Sequence, residues 1–194
     1  MKLIVLILAL VLWFMFGLRE REISHGPGQI AVDPPRQELL ADADRFTYLG
    51  YTLTPLAEFD MTARVLSHEH YRWDRGADLA PVDLVMGWGV MSDETVLAGL
   101  KISQSGRWYH WRASELPAPR REIETHSANM HMIPSSDEVR NILFSVRKGR
   151  IVRVIGKLVR VDAPDGYYWI SSLSREDTGG GACELIWVES ISVL

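Results

Sequence analysis

The apolar positions of this chain change period along its length. Leu3 to Leu18 is an uncharged run of 16 residues with no polar face. From Phe46 onward the pattern turns to strands: Thr47–Leu53 is β-prone, and Phe59, Met61, Ala63 and Val65 alternate with polar neighbours. Ser135-Ser-Asp-Glu138 then forms a capping box, with Val139, Ile142, Leu143 and Val146 at helical spacing before Gly149. The spacing predicts a helix between that box and that glycine. Gly149–Val161 is β-branched with Gly156 inside it, which predicts a long strand bent at the glycine. The turn Ala163-Pro-Asp-Gly166, the segment Tyr167–Leu173, the loop Gly179–Gly181 and the segment Cys183–Val188 complete a predicted meander.

Between these blocks the pattern is more mixed. Pro81–Trp88 reads as a short helix with proline in its first turn, and Ser92–Leu100 as a second with a capping serine and two acids. Leu100–Gln104 and Arg107–Arg112 flank Ser105-Gly106, a step suited to a tight hairpin. The expected fold class is therefore β-rich α+β: an N-terminal transmembrane helix, then a single domain with a C-terminal OB-like antiparallel meander or barrel over about residues 135–194. The expected organisation is an anchor at 1–18, a polar Pro/Gly linker at 19–45 and one β-rich domain at 46–194.

As a helix, Leu3–Leu18 would be about 24 Å long, slightly short of a bilayer core of about 30 Å, with Lys2 and Arg19 placed to snorkel. Its end in Trp13, Phe14, Phe16 and Leu18 lacks the small residues of a signal-peptidase site, which favours an uncleaved anchor over a signal peptide. Positive charges balance on the two sides, so the two-residue tail decides the orientation: tail inside, domain exported. The expected location is a single pass in a membrane, with the domain on its far side. The linker, with Gly26-Pro-Gly28 and Asp33-Pro-Pro35, is expected to stand that domain off the membrane.

A chain of 194 residues with formal net charge -4 lacks the basic field that would neutralise phosphates, which argues against general nucleic-acid affinity. A domain of about 150 residues buries enough surface to fold without staples or structural metal, so stability implies no cofactor. The single Cys183 opens an apolar strand and reads as a buried, inert thiol.

The candidate metal ligands are His68 and His70, one residue apart on one strand face, with His126 and with His131 between two methionines. Brought together with Glu69 they would suit Zn, and Met130 and Met132 would suit Cu. Read separately they are solvated or structural histidines. Arg107-Trp-Tyr-His-Trp-Arg112 mixes aromatics with arginines, as single-strand nucleic-acid platforms do, but the acidic total favours an ordinary sheet face. Alternation puts Trp108 and Trp111 on opposite faces, so one is spare. An exposed Trp111 between Arg107 and Arg112 is the expected anchor for a protein partner, in a chain with seven tryptophans.

Val82–Gly89, Ile102–Trp108, Ser127–Pro134 and Gly181–Glu189 together resemble segments of a group of short bacterial membrane-anchored proteins of unassigned function. The resemblance implies a bacterial envelope protein and carries over no catalytic residue. The function expected is a membrane-tethered, extracytoplasmic, non-enzymatic binding or assembly module with an envelope protein as partner. The alternatives are a metal-binding protein or metal-dependent hydrolase using the histidines, and a nucleic-acid-binding OB-like domain.

Overall fold

A twenty-residue strand cannot stay flat in a domain this small: at about 3.3 Å per residue it would run some 66 Å, so it must coil. That strand is β3 (Tyr51–His70), and the chain is built around its curl. The computed structural model describes residues 23–194. The apolar run Leu3–Leu18 and the helix expected there lie outside the described residues. Among those described, no helix is long and apolar enough to cross a membrane.

Two short strands, β1 (Arg36–Leu39) and β2 (Phe46–Tyr48), pair along β3. After it come β4 (Val82–Gly87), a 3-10 turn (Gly89–Ser92), helix α1 (Glu94–Ala98) and the hairpin β5 (Lys101–Ser105) and β6 (Trp108–Arg112). Helix α2 (Arg120–Thr125), β7 (Ser127–Pro134), α3 (Asp137–Ser145), β8 (Ile151–Asp162), β9 (Tyr168–Ile170) and β10 (Glu184–Val193) follow. The pairings β3–β4, β4–β7, β7–β10, β10–β8 and β8–β3 return to their start, so these strands close a barrel. All are antiparallel except β7–β10, which is parallel. β3 closes the ring by pairing with β8 through its first part and with β4 through its last.

This overturns the expected fold class. The C-terminal segments do not form an OB-like antiparallel meander of their own: β8 lies between β3 and β10, β9 is three residues long, and the sheet is mixed and recruits strands from residue 36 onward. Local turn signals reported the reversals after β8 but not the long-range partners, which depend on closure. Pro81–Trp88 is likewise a strand and not a helix, because β4 is covered on both faces and a fully buried strand shows no alternation. The long strand expected there is β8, which runs through Gly156 without a break. A Cβ there would lie 2.0 Å from the Trp187 carbonyl oxygen, opposite a register shift in β10 between Val188 and Ser190.

Side chains alternate between the barrel interior and its outside. Phe59, Met61, Leu84, Met130, Met132, Val154, Leu158 and Ile186 fill the interior, and α3 adds Val139 and Leu143 to the same cluster. Helix α3 starts one residue later than the capping box suggests, with Ser136 Oγ accepting from the Val139 amide. Outside, Leu66, Val85, Met91 and Ile123 form a second cluster under the β5–β6 hairpin. A third, with Leu53, Leu79, Val161 and Leu185, lies under β2 and Trp169.

Residues 23–45, read from sequence as a spacer, pack on the barrel. Ala31 is buried, Ser92 Oγ accepts from the amides of Ile30 and Ala31, and the Gly28 amide donates to Asp93. His25 Nε2 lies 2.6 Å from the Gly149 carbonyl, and Arg64 Nη2 donates to the carbonyl of Ile23. The prolines and glycines shape a docked segment.

Candidate functional site

Asp83 interrupts the apolar stretch Val82–Met86, and the barrel's alternation sends it outward while Val82 and Leu84 point in. Register places His131 of β7 directly across from it. A buried carboxylate needs partners, and this one has three. Arg107 Nη1 donates to Asp83 Oδ1 at 2.7 Å, Asn129 Nδ2 donates to Oδ2 at 3.5 Å, and His131 Nδ1 lies 2.9 Å from Oδ2 without hydrogen-bond alignment.

Arg107 reaches this point from the hairpin turn. Gly106 and Arg107 both adopt positive φ, +57° and +70°, the pattern of a two-residue hairpin turn that favours glycine at both places. An arginine in that conformation is costly, and it is held from every side. Its amide donates to Tyr71 Oη at 3.0 Å and its carbonyl accepts from Asn129 Nδ2 at 3.0 Å. Its guanidinium also donates to both oxygens of Asp74, at 2.8 and 2.9 Å, and to the Ala80 carbonyl at 2.8 Å. The same group stacks 3.7 Å from the centre of the Tyr71 ring, with Trp169 at 5.6 Å. Trp169 in turn meets the His131 ring at 4.5 Å.

Two cavities open over this cluster. One, of about 500 Å³, lies between Asp74–Gly76, Arg107–Trp108 and the lip Tyr167–Ile170, with His131 and Cys183 lining it. The other, of about 390 Å³, runs along the outer face of β7 past Ser127 and Asn129, between β6 and the loop at Asp177–Cys183. Trp108 and Cys183 line both, so the two adjoin at these residues, with Gly179 lining one and Gly181 the other; together they are called the groove below. Trp108 is 44% exposed and Tyr168 59%. Burial pushes the Cys183 thiol up to about 11, with its sulfur 4.0 Å from Asn129 Nδ2, so at neutral pH it is a thiol and a poor nucleophile.

Of the residues singled out from sequence, Arg107 is the centre of this cluster, but its guanidinium is engaged within the protein. Trp111 turns inward to the cluster under the hairpin, with the Arg120 guanidinium 5.1 Å from its ring. Arg112 ends β6 on the exposed face, opposite Lys101. The spare tryptophan of the hairpin is thus Trp108. The histidines are not brought together. Register puts His68 and His70 opposite Leu84 and Val82, on the interior face, where His70 meets Phe144 at 4.8 Å; His131 is on the outer face, and the sheet separates them. His126 caps the end of α2 with Nδ1 2.8 Å from the Glu122 carbonyl. Among the described residues no group of three or more His, Cys, Asp or Glu is arranged to hold a metal ion.

Sequence reasoning missed Asp74, Asp83, Tyr71, Asn129 and Trp169. One signal was available: an aspartate inside an apolar run is either a break or a buried, partnered charge, and Asp83 is the second. Compared with protein-family models, curated proteins and solved structures, the chain matches none of them.

Proposed function

We propose that this chain is a non-enzymatic binding module, tethered to a membrane through its N-terminal apolar run, that holds its ligand in the aromatic groove over β7. The observation that carries this reading is the disposition of the two ends of the barrel strands. The first described residue, Ile23, meets Gly149 just before β8 begins; the groove's lip, Trp169 and Tyr168, pairs with Val161 and Asp162 where β8 ends. Between Leu18 and Ile23 the chain has four residues, a reach of at most about 18 Å. The docked segment 23–31 therefore holds one end of the barrel near the bilayer, and the aromatic lip points to the other. Binding is favoured over catalysis because the charged groups at the groove floor are engaged with one another and the thiol there is protonated.

A photo-crosslinking residue in place of Trp108, in the full chain in its native membrane, tests this. Adducts are expected from position 108 and not from Glu38 on β1, with the chain sedimenting with membranes. Absence of an adduct at 108, or release of the chain by a salt wash, would overturn the proposal.

A further inference from the structure

The most exposed large apolar side chain among the described residues is Trp73, at 95%. It does not sit on a loose segment. Tyr71, two residues before it, stacks under the Arg107 guanidinium and its hydroxyl accepts from the Arg107 amide; Asp74, the next residue after it, takes the same guanidinium on both oxygens. Asp74 also accepts from the amides of Gly76 and Ala77, at 3.0 and 3.1 Å, and the Tyr71 amide donates to the Pro81 carbonyl at 2.9 Å. The indole is therefore held out between two fixed neighbours, and its backbone has little freedom left to lose on binding, which is what makes an aromatic side chain a strong anchor. Arg72 beside it is exposed too.

A receptor for such an anchor lies on the same face of the molecule. Asp74 and Trp108 line the 500 Å³ cavity, and Trp108 also lines the 390 Å³ one, whose walls include the rings of Tyr109, His110 and Trp111. That smaller cavity is large enough for an indole. Its walls hold two carboxylates, Glu124, paired with Arg120 at 3.1 Å, and Asp177, which accepts from Ser172 Oγ at 2.6 Å, and no lysine or arginine. Ring surface and negative charge stand together there, the complement of an indole beside an arginine.

We propose that the occupant of the groove is a second copy of this chain: Trp73 of each copy enters the 390 Å³ cavity of the other, with Arg72 against Asp177 and Glu124. The inference rests on the groove being the binding site and names its ligand. Three observations favour a second copy over an unrelated protein. Anchor and receptor lie on one face, as a self-complementary two-fold contact requires. Their charges are opposite. Copies tethered in one bilayer share a plane and an orientation, so that side faces such as the outer face of β7 meet at a raised effective concentration. The contact is made twice in each pair.

The test uses the full chain in an excess of detergent micelles. Sedimentation velocity over a wide range of concentration should show a dimer that dissociates on dilution. Trp73→Ala, and Thr178→Arg, which puts bulk and positive charge on the cavity wall, should each weaken it about tenfold or more at an unchanged thermal midpoint. Mixed together, the two variants should pair more tightly than either does alone, because the mixed pair keeps one intact contact of the two. A photo-crosslinking residue at position 73 should give an adduct of twice the chain mass, joined to Trp108–Trp111 or to Asp177–Cys183. If a substitution lowers the thermal midpoint, the crosslink map decides. A monomer at every concentration, a dimer indifferent to both substitutions, or adducts from position 73 that map outside the groove or to another protein reject the second copy. With any of those results, crosslinks from position 108 to a different molecule would leave the groove as the binding site; their absence as well rejects both.

Discussion

The two ends of the barrel strands each hold an arginine, and they use it differently. Arg64, in β3, donates to the carbonyls of Ile23 and Ser92 and to Glu94 at 2.6 Å. Arg107, at the hairpin tip, donates to two carboxylates and one carbonyl and stacks on an aromatic ring. The first is a clasp: it ties the carbonyl of Ile23, in the docked segment, to that of Ser92, in the 3-10 turn, and its one charged partner, Glu94, stays partly exposed. The second is a keystone, since Asp83 is wholly buried and only Arg107 and His131 approach it with positive charge or potential positive charge. A clasp can open at the cost of a few contacts. A keystone cannot be withdrawn without stranding a charge.

The largest expected effect follows from that difference. Arg107→Ala leaves Asp83 buried without its main partner and frees the hairpin tip, so a loss of about 3–5 kcal/mol is expected, with collapse of the groove. Arg64→Ala should cost less, about 2 kcal/mol, because Glu94 can rehydrate and carbonyls can turn to water. Chemical denaturation of both variants under one condition gives the ratio. Equal losses would mean that the two arginines are equivalent and that the keystone description is wrong. Arg107→Lys should not rescue, because a single ammonium cannot serve Asp74 bidentately and reach Asp83 as well.

The contrast also explains what could be read from the chain alone. The hairpin, the helix after Ser136 and the long strand through Gly156 were legible because each is set by neighbours in sequence: alternation, a cap, a β-branched run. The barrel was not, because its closure depends on β3 meeting β8 about a hundred residues later and on a parallel β7–β10 pair that no turn announces. At the site, Arg107 stood out by composition, but the choice between Trp108 and Trp111 as the exposed ring rested on which face the outer cluster would cover. Leu66, Val85, Met91 and Ile123, from four separate segments, decide that. The four histidines are not gathered for a related reason: residue spacing placed His68 and His70 on one face, but only register shows that His131 lies across the sheet from them.

A second way to separate the two ends is their dependence on pH. Cys183 faces the groove, and its neighbour Glu184 faces the interior, where burial pushes its carboxyl from 4.5 up to about 8 although Arg175 lies 2.8 Å away. A raised acid means the folded state holds more protons than the unfolded one between those values. Stability therefore falls as pH rises from about 4.5 to about 8, and the full penalty remains above that. At the clasp the sign reverses. Amides of Thr95 and Gly28 and the Thr95 hydroxyl hold Asp93 below its usual 3.8, so its contribution is present at neutral pH and lost as acid protonates it. Glu184→Gln should thus gain about 2 kcal/mol above pH about 8 and remove the fall in stability between about 4.5 and about 8, leaving the limb below that window, set by Asp93, untouched. Urea midpoints across the range check it; a variant whose stability follows the parent's through that window would show that Glu184 is ionised in the fold.

The smallest effect probes the clasp by itself. Ser92 Oγ accepts from two amides, Ile30 at 3.1 Å and Ala31 at 3.2 Å, and also lies 2.7 Å from the Gly89 carbonyl, to which its own proton points. Removing that oxygen in Ser92→Ala leaves two donors short of an acceptor at a buried position, a loss of about 1–2 kcal/mol. The remaining ties of the segment, His25 to Gly149, Gly28 to Asp93 and Arg64 to Ile23, lie on either side and should limit the damage to local opening. Hydrogen exchange resolved by residue should therefore quicken at Ile30 and Ala31 while Asn129, His131 and the other groove-floor amides exchange as before. If protection is lost at the groove as well, the two ends are coupled through β4 and the barrel behaves as one unit; if it is lost at neither, the segment 23–31 is held by its flanking contacts and Ser92 is dispensable to the clasp.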